Sequence, residues 1–176
     1  MNANKTTHQP ASLLVIVYGN TLRGDDGVGQ RVAEAVGSLG LPGVRTLGCQ
    51  QLSPEHADPI SHADAVVFVD AAVDAPKGVQ LRPLEPGESS QLMAHAADPR
   101  TMLALARDVF GHAPQAWWLT IPAVNLEFSE TLSPEAKRGC DEAVKRIQAT
   151  VVRRQIEGAR LCAQDQSQHT RIFLRG

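Results

Sequence analysis

Apolar positions fall into two rhythms along this chain, and their alternation defines its organisation. Leu13-Leu14-Val15-Ile16-Val17 is an unbroken apolar run, as expected of a parallel strand covered on both faces. Gly19 to Gly29 follows as a glycine-rich turn, and Val28, Val32, Val36 and Leu39 then recur at helical spacing. The spacing predicts a helix from about Asp26 to Gly37 or Gly40, with Pro42 as a stop signal beyond it. Val44 to Cys49 reads as a second strand. In Leu52-Ser53-Pro54-Glu55, Ser53 is a cap, Pro54 takes the first helical position and Glu55 faces the positive helix end, starting a short helix to about His62.

Ala65-Val66-Val67-Phe68-Val69 is the clearest strand and ends at Asp70. Val79 to Pro83 reads as a strand at or near an edge, because Pro83 closes it. Residues 84–98 read as loop. Asp98-Pro99 then caps a helix with Met102, Leu103, Ala106, Val109 and Phe110 on one face, ended by Gly111. Ala116 to Ile121 is the last strand. Leu132-Ser133-Pro134-Glu135 repeats the earlier capping chemistry and opens a final helix that carries Ala136, Cys140, Val144, Ile147 and Val151 inward and continues towards Ile156.

Strands alternating with helices predict an α/β fold: a three-layer sandwich with a largely parallel, twisted sheet of about five strands flanked by helices. No linker divides the chain. A single domain is expected over 12–162, with a flexible leader at 1–11 and a polar tail at 163–176.

Composition narrows the functional classes. The 176 residues include 17 basic and 19 acidic ones, a formal net charge of -2 with no basic block, which argues against nucleic acid as a partner. No run approaches the ~18 apolar residues of a membrane span, and the polar opening is no secretory signal. Cys49, Cys140 and Cys162 are odd in number, widely separated and outside any CxxC pattern. They read as reduced thiols of a cytoplasmic protein, and structural zinc is not expected.

The candidate chemistry is acidic. Ligands of parallel α/β sheets bind outside the carboxyl ends of the strands, and Asp26 leaves the first strand while Asp70 closes the third. Parallel strands would bring both carboxylates to one rim, and His95 lies in a loop that should return over it. Two carboxylates and an imidazole from three loops suit a divalent ion such as zinc, nickel or manganese, although no HExxH or His-rich cluster supports this. Each residue also has a plain reading: Asp25 or Asp26 as a helix cap, Asp70 as a turn residue, His95 as a solvated surface histidine. A phosphate or dinucleotide site is excluded, because Gly19, Gly24, Gly27 and Gly29 give neither GxGxxG nor GxxxxGK[ST]. Asp25 and Asp26 would also oppose a pyrophosphate at the helix N-terminus. A phospho-receiver domain shares the acidic pattern, but Trp117-Trp118-Leu119-Thr120-Ile121-Pro122 lacks the lysine such domains place at that strand's end.

Gly19-Asn20-xx-Arg23-Gly24-Asp25-Asp26-Gly27-Val28-Gly29, Gln51-Leu52-Ser53-Pro54-Glu55, Val66 to Val69 with Asp70-Ala71, and His95 before Leu103 to Ala106 together resemble the hydrogenase maturation protease family. The similarity runs in order from about residue 13 to 150. It implies an endopeptidase that removes the C-terminal extension of a [NiFe] hydrogenase large-subunit precursor once nickel is in place. Carried over residue by residue, it implies Asp26, Asp70 and His95 as the nickel-recognising set, with Asp26 and Asp70 catalytic as well, in an aspartyl-type endopeptidase. The nickel is implied to arrive with the substrate, and no organic cofactor is expected. Val17 stands where the family often has Gly, so an altered turn without lost chemistry is expected. A cytoplasmic monomer is implied, with the precursor as partner and neither nucleic acid nor membrane. The alternative is a non-catalytic docking or chaperone protein for the same subunit.

Overall fold

The computed structural model describes residues 12–73, 77–88 and 98–173, with side chains as far as Glu157. Five strands form one sheet: β1 (Leu13–Tyr18), β2 (Val44–Cys49), β3 (Ala65–Ala72), β4 (Gln80–Leu84) and β5 (Gln115–Pro122), in the order β2-β1-β3-β5-β4. β1 pairs in parallel with β2 and β3, and β3 with β5, while β4 runs antiparallel along β5 at the edge. Pro83 is tolerated there because an edge strand leaves one side of its backbone free of ladder bonds.

Period-two alternation splits the sheet's apolar residues between two cores. Leu13, Val15, Val17, Val67, Val69, Leu119 and Ile121 face α1 (Val28–Ser38) and α4 (Pro134–Phe173), meeting Val28, Val32, Val36, Ala143 and Ile147. Leu14, Ile16, Val66, Phe68 and Ala116 face α2 (Ala57–Ser61) and α3 (Pro99–Phe110), meeting Ile60, Met102, Leu103 and Ala106. Burial on both faces explains why Ala65 to Val69 is apolar without a break. This is the expected three-layer α/β sandwich.

Local chemistry sets the helix ends. Asp98 caps α3 by accepting the Arg100 backbone N–H at 2.8 Å, and Gly111 closes it in the left-handed region. A 3-10 turn, Pro54–His56, leads into α2, with the Ser53 backbone N–H donating to His56 Nδ1 at 2.9 Å. The Ser133 hydroxyl accepts the Ala136 N–H at 3.1 Å and caps α4.

Three details depart from the sequence reading. Val109 and Phe110 are 66% and 45% exposed, so the last turn of α3 lies outside the packed layer. The turn after β1 first winds as a 3-10 segment, Gly24–Gly27, before α1 begins at Val28, later than Asp26. α4 continues to Phe173, through most of the stretch expected as a polar tail. That stretch holds no proline, and its Gln, Arg, Ala and Leu residues favour helix without needing an apolar stripe. Among the described residues no helix is long and apolar enough to cross a membrane.

Candidate active site

β1 crosses to β2 on one side and the chain returns to β3 on the other, so the strand order reverses between β1 and β3. Open parallel sheets hold their ligands in the crevice at such a switch point, beyond the carboxyl ends of the strands. Asp26 stands in the turn that leaves β1, and Asp70 lies on β3 one rung beyond the Val17–Val69 pair. Both are half-buried. His95 lies outside the described residues.

The turn that presents Asp26 is held from within and from below. Asp26 accepts the Asn20 backbone N–H at 2.8 Å through one carboxylate oxygen. Asp25 points the other way, into the protein. It is fully buried and accepts the backbone N–H groups of Val124 (2.9 Å), Asn125 (3.0 Å) and Ser133 (2.7 Å) and the Ser133 hydroxyl (2.8 Å). Burial would push its pKa up, but these four donors outweigh it and hold the carboxyl below its ordinary value. The adjacent aspartates therefore have separate tasks: Asp25 ties the β1 turn to the loop after β5 and to the cap of α4, and Asp26 faces the rim. Neither caps α1, whose N-cap position is Gly27.

Asp70 is the perturbed acid of the site. Burial pushes it up to about 6, the Tyr18 hydroxyl opposes that shift, and the negative charge of Asp26 adds to it. The charge of Asp26 thus reaches Asp70 across the switch point. Among the described residues no group of three or more His, Cys, Asp and Glu side chains is arranged to hold a metal ion. Cys49, at the end of β2, is no activated nucleophile, because burial and then the charge of Glu55 push its thiol up.

Two neighbours of Asp70 carry no sequence motif. Tyr18, the last residue of β1, and Trp118 of β5 fall on the same face of the sheet as Asp70 and both interact with its carboxyl group. Burial, then the Asp70 charge, raises the Tyr18 pKa. Around the rim, exposed apolar side chains stand on each turn that leaves a central strand: Leu22 after β1, Val73 after β3, Val124 and Phe128 after β5. The Ser129 N–H donates to the Leu22 carbonyl at 2.9 Å, which ties the turn after β1 to the loop after β5.

The backbone is similar to those of solved structures that include the following three. The first is the hydrogenase maturating endopeptidase HybD of Escherichia coli, with a TM-score of 0.64 and 19% identity over 81% of this chain and 93% of that one. The second is the [NiFe] hydrogenase maturation protease HybD of Thermococcus kodakarensis, at 0.61 and 22% over 80% and 99%. The third is the maturation protease HycI of the same organism, at 0.63 and 22% over 81% and 93%. The fold is that of the hydrogenase maturation proteases. No protein-family model and no curated protein matches the sequence. Within this fold, Val17 lies inside β1 as a buried residue paired with Val69, and the turn begins two residues later at Gly19.

Proposed function

We propose that this protein is an endopeptidase that removes the C-terminal extension of a nickel-loaded [NiFe] hydrogenase large-subunit precursor. In this reading Asp26, Asp70 and His95 recognise the nickel that the substrate brings, and the protein works as a cytoplasmic monomer. The observation that supports it is the placement of two carboxylates, Asp26 in the turn that leaves β1 and Asp70 near the end of β3, at the switch point of a maturation-protease fold. There the charge of Asp26 adds to the upward shift of Asp70. Like charges held together disfavour full ionisation of the pair, and a cation between them removes that cost. A precursor carrying a divalent ion therefore gains an interaction that the empty precursor lacks. This makes metal loading the condition for productive docking.

Oxygen and nitrogen donors suit a borderline ion such as nickel. Once the ion is engaged, the scissile bond lies at an acidic, water-accessible rim. A carboxylate there serves as general base for an attacking water, and the substrate's ion supplies polarisation of the carbonyl. The apolar residues Leu22, Val73, Val124 and Phe128 around the rim suit a protein substrate better than a small molecule.

The test is the intact mass of a nickel-loaded precursor before and after incubation with this protein, beside a nickel-free precursor. The expected result is loss of a C-terminal peptide from the loaded form alone. An unchanged mass of the cognate loaded precursor would instead support a docking protein or chaperone. Cleavage of both forms would leave a protease without nickel recognition.

A further inference from the structure

Tyr18 and Trp118 flank Asp70 on the face of the sheet that packs against α2 and α3. β1 and β3 pair Val17 with Val69, which sets Tyr18 beside Asp70 on the next rung, and Trp118 pairs with Phe68, two residues before Asp70. The Tyr18 hydroxyl oxygen and the Trp118 indole nitrogen are both buried, and neither has a hydrogen-bond partner of good geometry among the described residues. Buried donors are rarely left open in folded proteins, and those that are call for an explanation. Both side chains interact with the Asp70 carboxyl group, and they also interact with each other. Trp118 is also held from its other side, since Arg82 on the edge strand lies over the indole at 5.8 Å from the ring centre.

Catalytic hydrogen bonds are often long in a free enzyme and tighten in the complex. Bonds to an ionised acceptor are also shorter and stronger than neutral ones. We infer that Tyr18 and Trp118 are positioning residues for Asp70: their O–H and N–H groups close on the inner side of its carboxylate when a cation-bearing substrate engages the outer side. The pair holds the carboxylate in one orientation, as partners behind metal-ligating groups commonly do. Arg82 fixes the plane of the indole that makes one of the two bonds. The inference rests on the reading of Asp70 given above.

Its test has two arms. In the metal-free full-length protein, the indole N–H resonance of Trp118, assigned by its loss in Trp118→Phe, is followed in a nitrogen-15 correlation spectrum. Asp70→Asn is expected to move that resonance and to leave the Trp117 resonance in place. In the second arm, Tyr18→Phe and Trp118→Phe are assayed on nickel-loaded precursor. Each is expected to lose about ten- to a hundredfold in kcat, the range for a hydrogen bond to a charged group, with KM within about twofold and the melting temperature kept. An unmoved Trp118 resonance, or wild-type kcat in both variants beside an inactive Asp70→Asn, would overturn the pairing alone. Wild-type turnover by Asp70→Asn would instead overturn the reading of the site.

Discussion

Gly19 and Asp26 are packed so closely that a Cβ on Gly19 would overlap the Asp26 carbonyl oxygen. Gly19 also has a φ of 137°, in a region that residues with a side chain rarely adopt. Glycine is thus what lets the chain leave β1 and turn under the candidate acid. Gly19→Ala is expected to destabilise the fold by about 2–4 kcal/mol, combining backbone strain with a contact that must shift. It is also expected to cut processing, because relief of the overlap displaces Asp26. A denaturant titration with an unchanged midpoint would show that the turn has room to relax.

Asp26→Ala and Asp70→Ala should each reduce processing at least a hundredfold, the scale of losing an acid–base group. The melting temperature should stay within a few degrees of wild type, since both side chains are half-buried at the rim and not part of either core. Peptide release is the readout, and wild-type turnover by either variant would remove the site assignment.

Asp25→Ala should behave in the opposite way, as a stability variant. It leaves the N–H groups of Val124, Asn125 and Ser133 without their acceptor and is expected to cost about 3 kcal/mol or more. The pH dependence has a defined sign. The folded-state pKa lies below the unfolded value of about 4. Its stabilisation is therefore present above about pH 4 and is lost as pH falls through the folded pKa. Asp25→Asn should flatten this acid limb, measured by urea titrations from neutral to acid pH. A limb as steep as the wild type's would place the acid sensitivity elsewhere.

Asp70 has the reverse linkage. Its folded pKa, at about 6, lies above the unfolded value, so between about pH 4 and 6 the native state binds more protons than the unfolded chain. Ionised Asp70 therefore works against stability, increasingly as pH rises through that window and fully above it. Asp70→Asn is expected to raise the melting temperature at pH 7 while abolishing processing, the trade expected of a strained functional group. At pH 4 the two proteins should melt together. A lower melting temperature for the variant at pH 7 would show that the carboxylate contributes to the fold.

Much of this architecture was legible because burial writes itself into apolar runs. The unbroken Leu13 to Val17 and Ala65 to Val69 announced strands covered on both faces, with the Asp25-Asp26 pair in the turn after the first and Asp70 directly after the second. Parallel pairing then put both on one rim. The role of Asp25 was not legible, because three of its four donors are backbone N–H groups roughly a hundred residues away, and a backbone donor leaves no mark in a sequence. Nor were Tyr18 and Trp118 readable as neighbours of Asp70, since that depends on strand order and on register to a single residue. The length of α4 escaped for another reason: apolar periodicity fades beyond Val151, while helix propensity persists. His95 lies outside the described residues, so its place near the two acids rests on the sequence resemblance.

The hydrogen bonds between Asp25 and Ser133 span 108 positions of the chain. Synthesis proceeds from the N-terminus, so the turn bearing Asp26 emerges long before the residues that hold it down. Contacts this distant in sequence close only after a large loop has been ordered, which makes them late events in folding. A nascent chain lacking residue 133 has the acidic residues but not the framework that aims them. For a protein proposed to cut other polypeptides, competence is thereby tied to completion of its own fold.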